Sequence, residues 1–285
     1  MKPATRPDRQ DQRGFALLIV LWAMVMLSFV ATRVTASGHG AVLVAANLRN
    51  AAVVEAAADG AVQEAIFRML DTSAARWRPD GRLRTLPLPR GEIILRLDDQ
   101  AGKVNPNLAS VELLTALLRQ LGVDSQGANR LAAAIADWRA PTAEARPFGA
   151  KAREYRNAGL GYGPPDAPFR SIGELGAVLG MTPPLLARLA PHLSLFNDGD
   201  PEPGLADPLV LRALRGLLGA QEFAASPQTG RRVVAIAAIA IQRGRGGGGT
   251  PAADVARFAR RAVVRVGEGN NGAPFQILAW GIEED

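Results

Sequence analysis

The chain of 285 residues contains no cysteine. Disulfide scaffolds, thiolate metal sites, iron–sulfur clusters and cysteine nucleophiles are excluded together. Histidine is almost missing as well. His39 and His192 are the only two and lie far apart, so a multi-histidine metal site is excluded and a Ser-His-Asp triad is poorly supplied. Lysine is confined to Lys2, Lys103 and Lys151, the other basic residues being arginine. What is present is ordinary for a folded protein: 48% apolar and 21% charged residues, which excludes wholesale disorder. The net charge of +6 hints at an anionic partner, a nucleic acid or a membrane surface. The hint is weak because 33 basic residues face 27 acidic ones.

The N-terminus supplies a stronger signal. Lys2, Arg6, Arg9 and Arg13 precede an uncharged run from Gly14 to Thr32 whose apolar body spans Phe15 to Ala31. At about 1.5 Å per helical residue this run just crosses a hydrocarbon layer roughly 30 Å thick. The basic leader keeps that end in the cytoplasm. Two membrane readings compete. In one, a secretory signal is cut near Val34-Thr35-Ala36. In the other, the Arg13-Gly14-Phe15 junction resembles a prepilin-type signal, cut after Gly14 on the cytoplasmic side, with the apolar helix retained.

The following stretch favours retention. Ala41 to Leu70 contains no proline and one internal glycine, Gly60. Leu48, Ala52, Ala56, Ile66, Met69 and Leu70 recur at helical spacing. Val53, Ala57, Ala61 and Ala65 form a second row of small residues that lets helices approach closely. Glu64 and Arg68 add an i,i+4 pair. The membrane helix is therefore expected to continue as an amphipathic stalk to about Arg76.

Downstream, Pro79-Asp80-Gly81 and Pro87-Leu88-Pro89 read as turns, and Gly91 to Leu97 as a strand. Leu113, Leu114, Leu117, Leu118 and Leu121 share one helical face that Gly122 terminates. Ser125 begins a second helix carrying Leu131, Ile135 and Trp138, which Pro141 stops. A similar unit follows. Ser171 to Glu174 fits a capping box, Gly180 a turn, and Thr182-Pro183 the start of another helix. These units resemble helix-hairpin-helix modules, which often grip DNA backbone. Phosphate binding needs free backbone N–H groups and basic residues at the turn. Here Asp124 and Thr182 stand there instead.

Asn197 to Pro208 reads as a proline-broken linker and Leu209 to Leu218 as a short helix. Arg232 to Gln242, Arg261 to Val266 and Pro274 to Ile282 read as antiparallel strands, joined by the glycine-rich stretch Arg243 to Pro251 and a turn over 267–272.

This order resembles the type II secretion minor pseudopilin K family. Besides Arg13-Gly14 and Leu21-Trp22, the motifs that carry the resemblance lie between residues 99 and 191. They are Asp99-Gln100-Ala101-Gly102-Lys103-Val104-Asn105, Asp137-Trp138-Arg139, Pro168-Phe169-Arg170-Ser171-Ile172-Gly173-Glu174-Leu175, and Gly180-Met181-Thr182 with Leu189-Ala190-Pro191. Trp280 in the last strand also fits. The resemblance implies an α+β fold: a pilin-like long N-terminal helix packed on an antiparallel sheet, with an inserted all-α domain of helix-hairpin-helix or SAM-like type. The implied organisation is a cleaved leader at 1–14 and a membrane helix and stalk at 15–76. A head follows at 77–103 and 198–285, with the insert at 104–197.

The resemblance further implies peptidase cleavage and N-methylation at Gly14 and Phe15. It places Phe15, Leu21, Trp22 and Val30 in the membrane helix. Most pilin-like subunits carry glutamate at the fifth mature position, here Ile19; its absence is typical of the K family and fits a subunit at the filament tip. Other minor pseudopilins, the major pseudopilin, the prepilin peptidase and the inner membrane are the implied partners. The head is implied to be periplasmic, and no enzymatic activity is expected. Some members bind calcium in the insert. Calcium wants six to eight oxygens, and Lys151 and Arg153 oppose that here, so no calcium ligands are assigned. The alternative from another class is an exported or membrane-anchored helix-hairpin-helix DNA-binding protein. Loss of the leader removes four basic and two acidic residues and lowers the net charge from +6 to +4, so the basic excess is partly a topology signal.

Overall fold

A computed structural model describes residues 11–218, 232–243, 254–267 and 272–282. Residues 1–10 of the expected leader at 1–14, the glycine-rich stretch at 244–251 and the turn at 268–271 lie outside the described residues.

Helix α1 runs unbroken from Asp11 to Leu70, 60 residues or about 90 Å. It ends earlier than the expected Arg76. Asp71 accepts hydrogen bonds from the Ser73 amide at 2.8 Å and the Ser73 hydroxyl at 2.9 Å, a side-chain turn that competes with further helix. The Arg76 guanidinium then donates back to the Met69 carbonyl at 2.7 Å.

The chain next forms β1 (Asp80–Leu88) and β2 (Gly91–Asp99). Strand β1 takes in Asp80-Gly81 and Pro87-Leu88, which read as parts of turns, a correction with a simple cause at its proline end. It is an edge strand, where Pro87 can pair with Glu92 although proline has no amide to donate. After β2 come α2 (Val111–Gln120), α3 (Ser125–Arg139) and α4 (Ala152–Asn157). A 3₁₀ turn over Ile172–Ala177, α5 (Pro183–Leu189), a second 3₁₀ turn over Ala190–His192 and α6 (Pro208–Leu218) follow. Three strands close the chain: β3 (Arg232–Arg243), β4 (Asp254–Val266) and β5 (Phe275–Ile282). Strand β4 starts seven residues before the expected Arg261. The five strands form one antiparallel sheet in the order β1-β2-β3-β4-β5.

Two hydrophobic cores result. In the first, α1 lays Val54, Ala58, Ala61, Val62, Ala65, Ile66 and Met69 on alternate residues of β2, β3 and β4: Leu95, Leu97, Val234, Ile236, Ala238, Ala262 and Val264. The stripe facing the sheet differs from the expected one. Leu48, 67% exposed, and Ala52 lie ahead of the packed part of the helix, which begins at Val54, and Ala56 is exposed because it stands on the face turned away from the sheet. Of the row of small residues, Ala61 and Ala65 face the sheet, whereas Val53 stays exposed.

The second core joins the helices. All five leucines expected on one face of α2 are buried in it, with Leu131, Ile135 and Trp138 of α3 and Leu185 and Leu189 of α5. This core reaches beyond residue 197, since Val210, Ala213 and Leu214 of α6 pack here rather than on the sheet. The α2–α3 turn closes as expected. Gly122, at φ +84°, donates to the Arg119 carbonyl and Val123 to the Leu118 carbonyl, a paired C-terminal cap that needs a residue without Cβ strain.

Candidate functional site: the membrane helix and the root of the helical cluster

Gly14 and Phe15 lie within α1, which passes through the junction without a break. From Phe15 to Arg33, 19 residues with mean hydropathy 2.5 pack against nothing in the molecule. Phe15, Ile19, Leu21, Trp22 and Val30 are each more than half exposed. So many large apolar side chains turned outward over about 28 Å require an apolar surrounding. The helix fits a single-pass membrane anchor. At Ile19 there is no charge to desolvate, so the anchor needs no partner amine at that depth.

The motifs between 99 and 175 converge at the root of the helical cluster, where the chain leaves the sheet and returns to it. Gln100 is buried; its backbone N–H donates to Val233 and its side chain to the Asp98 carbonyl. Gly102 lies against the chain on its way back: a Cβ there would sit 2.2 Å from the Leu205 carbonyl oxygen. Burial raises the pKa of Asp99 despite a hydrogen bond from the Ala101 amide, and burial lowers that of Lys103.

Two asparagines lock this junction reciprocally. Asn105 donates to the Asn197 carbonyl at 2.7 Å, and Asn197 donates to the Lys103 carbonyl at 2.7 Å. Val104 and Leu193 form an isolated parallel bridge beside them. The outgoing and returning chains are thus tied together by backbone and side chain.

Above the junction, Asn107 holds Phe169 by both backbone groups, donating at 3.0 Å and accepting at 2.7 Å. The Phe169 ring stacks on Trp138 with a centroid distance of 5.9 Å and an angle of 5°. The Trp138 indole donates to Glu174 at 3.2 Å, and Arg139 donates to the carbonyls of Pro106 and Ala109. Tyr155 closes the cluster. Its hydroxyl accepts from the Leu179 amide at 2.9 Å, and burial pushes its pKa up to about 12. The Asp-Trp-Arg and Pro-Phe-Arg motifs are therefore one network.

The motifs are visible in the sequence but their partners are not: no local pattern marks Asn107, and Asn197 lies in a stretch that reads as a proline-broken linker. The Ser171 cap forms as half a box: its hydroxyl accepts from the Glu174 amide at 3.3 Å, but Glu174 accepts from Arg170 and Trp138 instead. Thr182 stands at the start of α5 with Pro183 next, and its side chain makes no capping bond.

Chemically this root is a rigid platform. Among the described residues no group of three or more His, Asp or Glu is placed to hold a metal. The turn relevant to DNA is already occupied. Asp124 accepts from the Gln126 amide at 3.1 Å and the Gly127 amide at 2.9 Å, so a carboxylate takes the N–H groups a phosphate needs.

An outward-facing apolar helix that fits a membrane anchor and becomes the stalk of a five-stranded antiparallel sheet defines an α+β protein with a mixed helix–sheet head. Residues 94–198 match the family model "Type II secretion system (T2SS), protein K". The fold is similar to a chain of the crystal structure of the GspK-GspI-GspJ complex from the enterotoxigenic Escherichia coli type 2 secretion system. The TM-score is 0.60 at 15% identity, covering 84% of this chain and 97% of that one. A comparison with curated proteins gave no match. The family match and the fold together support a type II secretion minor pseudopilin K, the family to which the sequence motifs point. Such a subunit is a structural component of the secretion system, not an enzyme.

Proposed function

We propose that this minor pseudopilin initiates or caps the tip of the pseudopilus that drives folded proteins across the outer membrane. In this reading a prepilin peptidase cuts after Gly14, Phe15 becomes the N-methylated first residue, and the anchor holds the protein in the inner membrane with its head in the periplasm. The partners are the other minor pseudopilins and the major pseudopilin. A complex of GspK with GspI and GspJ, similar in fold, supports that choice. The helices at 104–197 act as an inserted all-α domain of helix-hairpin-helix or SAM-like type, carried between the strand at 91–99 and the closing strands.

One observation carries the proposal: the exposed apolar span beginning at Phe15 has isoleucine at its fifth position, Ile19. In the pilin-like subunits that the sequence resembles, the carboxylate usual at this position is paired with a neighbour's terminal amine, so its absence fits a subunit with none above it.

Intact mass and N-terminal sequencing of the membrane-extracted protein test processing. The expected product starts at methylated Phe15; a start at Ser37 overturns the reading. For the tip, site-specific cross-linking from position 19 in assembled pseudopili should reach neighbours on one side only.

A further inference from the structure

The segment from Asp137 to Asp166 contains a lysine in an unusual place. Lys151 is 5% exposed. An ammonium removed from water is costly unless each of its three N–H donors finds an acceptor. Here all three do. Its Nζ donates to the Asp137 carbonyl at 2.7 Å, to the Ala140 carbonyl at 2.6 Å and to the Asp166 carboxylate. Two backbone carbonyls and a carboxylate around one positive charge are the kind of oxygen set that hard metal cations take.

The surroundings are built around that charge. Asp137 has a fully buried side chain; its Oδ2 accepts from the Arg146 amide at 3.0 Å. Its Oδ1 has no hydrogen bond but faces the Arg146 guanidinium at 3.5 Å. A Cβ on Gly149 would lie 2.0 Å from Asp137 Oδ2, so the loop closes on the carboxylate only with glycine there. Asp166 adopts φ +55°, a left-handed conformation that costs a non-glycine residue energy, and in it reaches Lys151.

The charges also leave no negative excess. Between Asp137 and Asp166 the cations Arg139, Arg146, Lys151, Arg153 and Arg156 face the carboxylates Asp137, Glu144, Glu154 and Asp166, and Asp137, Asp166 and Glu154 are paired with Arg146, Lys151 and Arg153. No surplus negative charge is left to attract a divalent ion, and the carbonyls such an ion needs are already bonded. The calcium implied by the family resemblance does not fit these residues.

We propose that the Lys151 ammonium is the resident cation of this segment. It closes the loop at 140–150 onto α3 and makes that closure independent of bound metal.

Hydrogen exchange of the full-length, detergent-extracted protein tests this, read over the loop amides, among which Thr142, Arg146 and Gly149 are hydrogen-bonded. In the native protein, exchange over 141–150 should be equal in chelator and in millimolar calcium. In Lys151→Met, which keeps the apolar stem and removes the charge, the loop should exchange about tenfold faster while α2 is unchanged. Should that variant fail to fold, Asp166→Asn keeps the lysine and removes one acceptor's charge, and should speed loop exchange about threefold. Calcium that slows loop exchange tenfold in the native protein overturns the proposal. So does a folded Lys151→Met whose loop exchanges at the native rate.

Discussion

The guanidinium of Arg260, on the inner face of β4, lies 2.5 Å from the carboxylate of Asp59, one turn into the packed part of α1. It also reaches Glu55 at 3.2 Å and lies over the rings of Phe258 and Trp280, 4.9 Å and 5.3 Å from their centroids. Above and below this pair the stalk meets the sheet through apolar side chains, so Arg260 fixes which part of α1 faces β4. The arginine is nearly buried and its two carboxylates are partly exposed. Arg260→Leu should therefore cost about 2–3 kcal/mol, from lost charged hydrogen bonds and ring contacts together. Chemical denaturation of the extracted protein measures it. A double-mutant cycle with Asp59→Asn should show coupling, and additive losses would contradict the pairing.

Gly102 belongs to the motif that joins the sheet to the helical cluster, and its role is steric. The backbone of Leu205 and Ala206 approaches so closely that a methyl group finds no room: 2.2 Å to one oxygen and 2.7 Å to one nitrogen. No flexible side chain is there to give way. Gly102→Ala should destabilise the protein by about 2 kcal/mol or more through forced backbone shift. At Gly122 the argument differs, since a Cβ there meets open space and only the positive φ resists it. Gly122→Ala should cost about 1 kcal/mol. The order of the two losses, read as denaturation midpoints, is the test.

How much of this was legible follows from the range of each interaction. The α2–α3 hairpin was readable because its signals are local: a leucine face, Gly122 and the stop at Pro141 within one short span. The apolar run at Phe15–Arg33 is readable because its signal, a long uncharged stretch behind a basic leader, is local in the sequence. Strand β1 was hidden because its proline is tolerated only by virtue of an edge position, which a strand owes to the rest of the sheet. The buried stripe of α1 was misplaced for a similar reason. Small residues recur on several faces, and where β2–β4 end decides which of them is covered. Lys151 was visible as an obstacle to calcium but not as a cation with three acceptors, since Asp166 reaches it only through a backbone conformation that spacing does not reveal.

Asn105 and Asn197 are 92 residues apart; Asn105 donates to the Asn197 carbonyl, and Asn197 donates back across the junction to the Lys103 carbonyl. Asn105 is buried, so truncating it leaves the Asn197 carbonyl and the Asn107 amide without the side chain that serves both. Asn105→Ala should cost about 2 kcal/mol. The loss should appear first as faster hydrogen exchange at the Val104 and Ser194 amides, which hold the bridge between the two chains. A variant with native protection there would show that the asparagine pair is incidental to the junction.

Asp207 gives a pH-dependent prediction. Its Oδ1 caps α6 by accepting from the Leu209 amide at 2.8 Å and the Val210 amide at 3.1 Å, and its Oδ2 contacts His192 Nδ1 at 2.7 Å. Partial burial raises its pKa, but the His192 bond and the two amides outweigh that, so the carboxyl lies below its ordinary value of 3.8. A depressed carboxylate pKa in the folded state means that the unfolded chain binds the proton first as acid is added. The stabilisation is therefore complete above about pH 4 and disappears as pH falls through the lower, folded-state value. Asp207→Asn keeps a capping oxygen but loses the charge. It should lower the denaturation midpoint at pH 7, match the native protein more closely at pH 2, and make the acid limb between them shallower. The difference between the two profiles isolates Asp207 from the other carboxylates, which titrate in both proteins. Parallel profiles across that range would mean that the contact with His192 and the cap on α6 contribute nothing through charge.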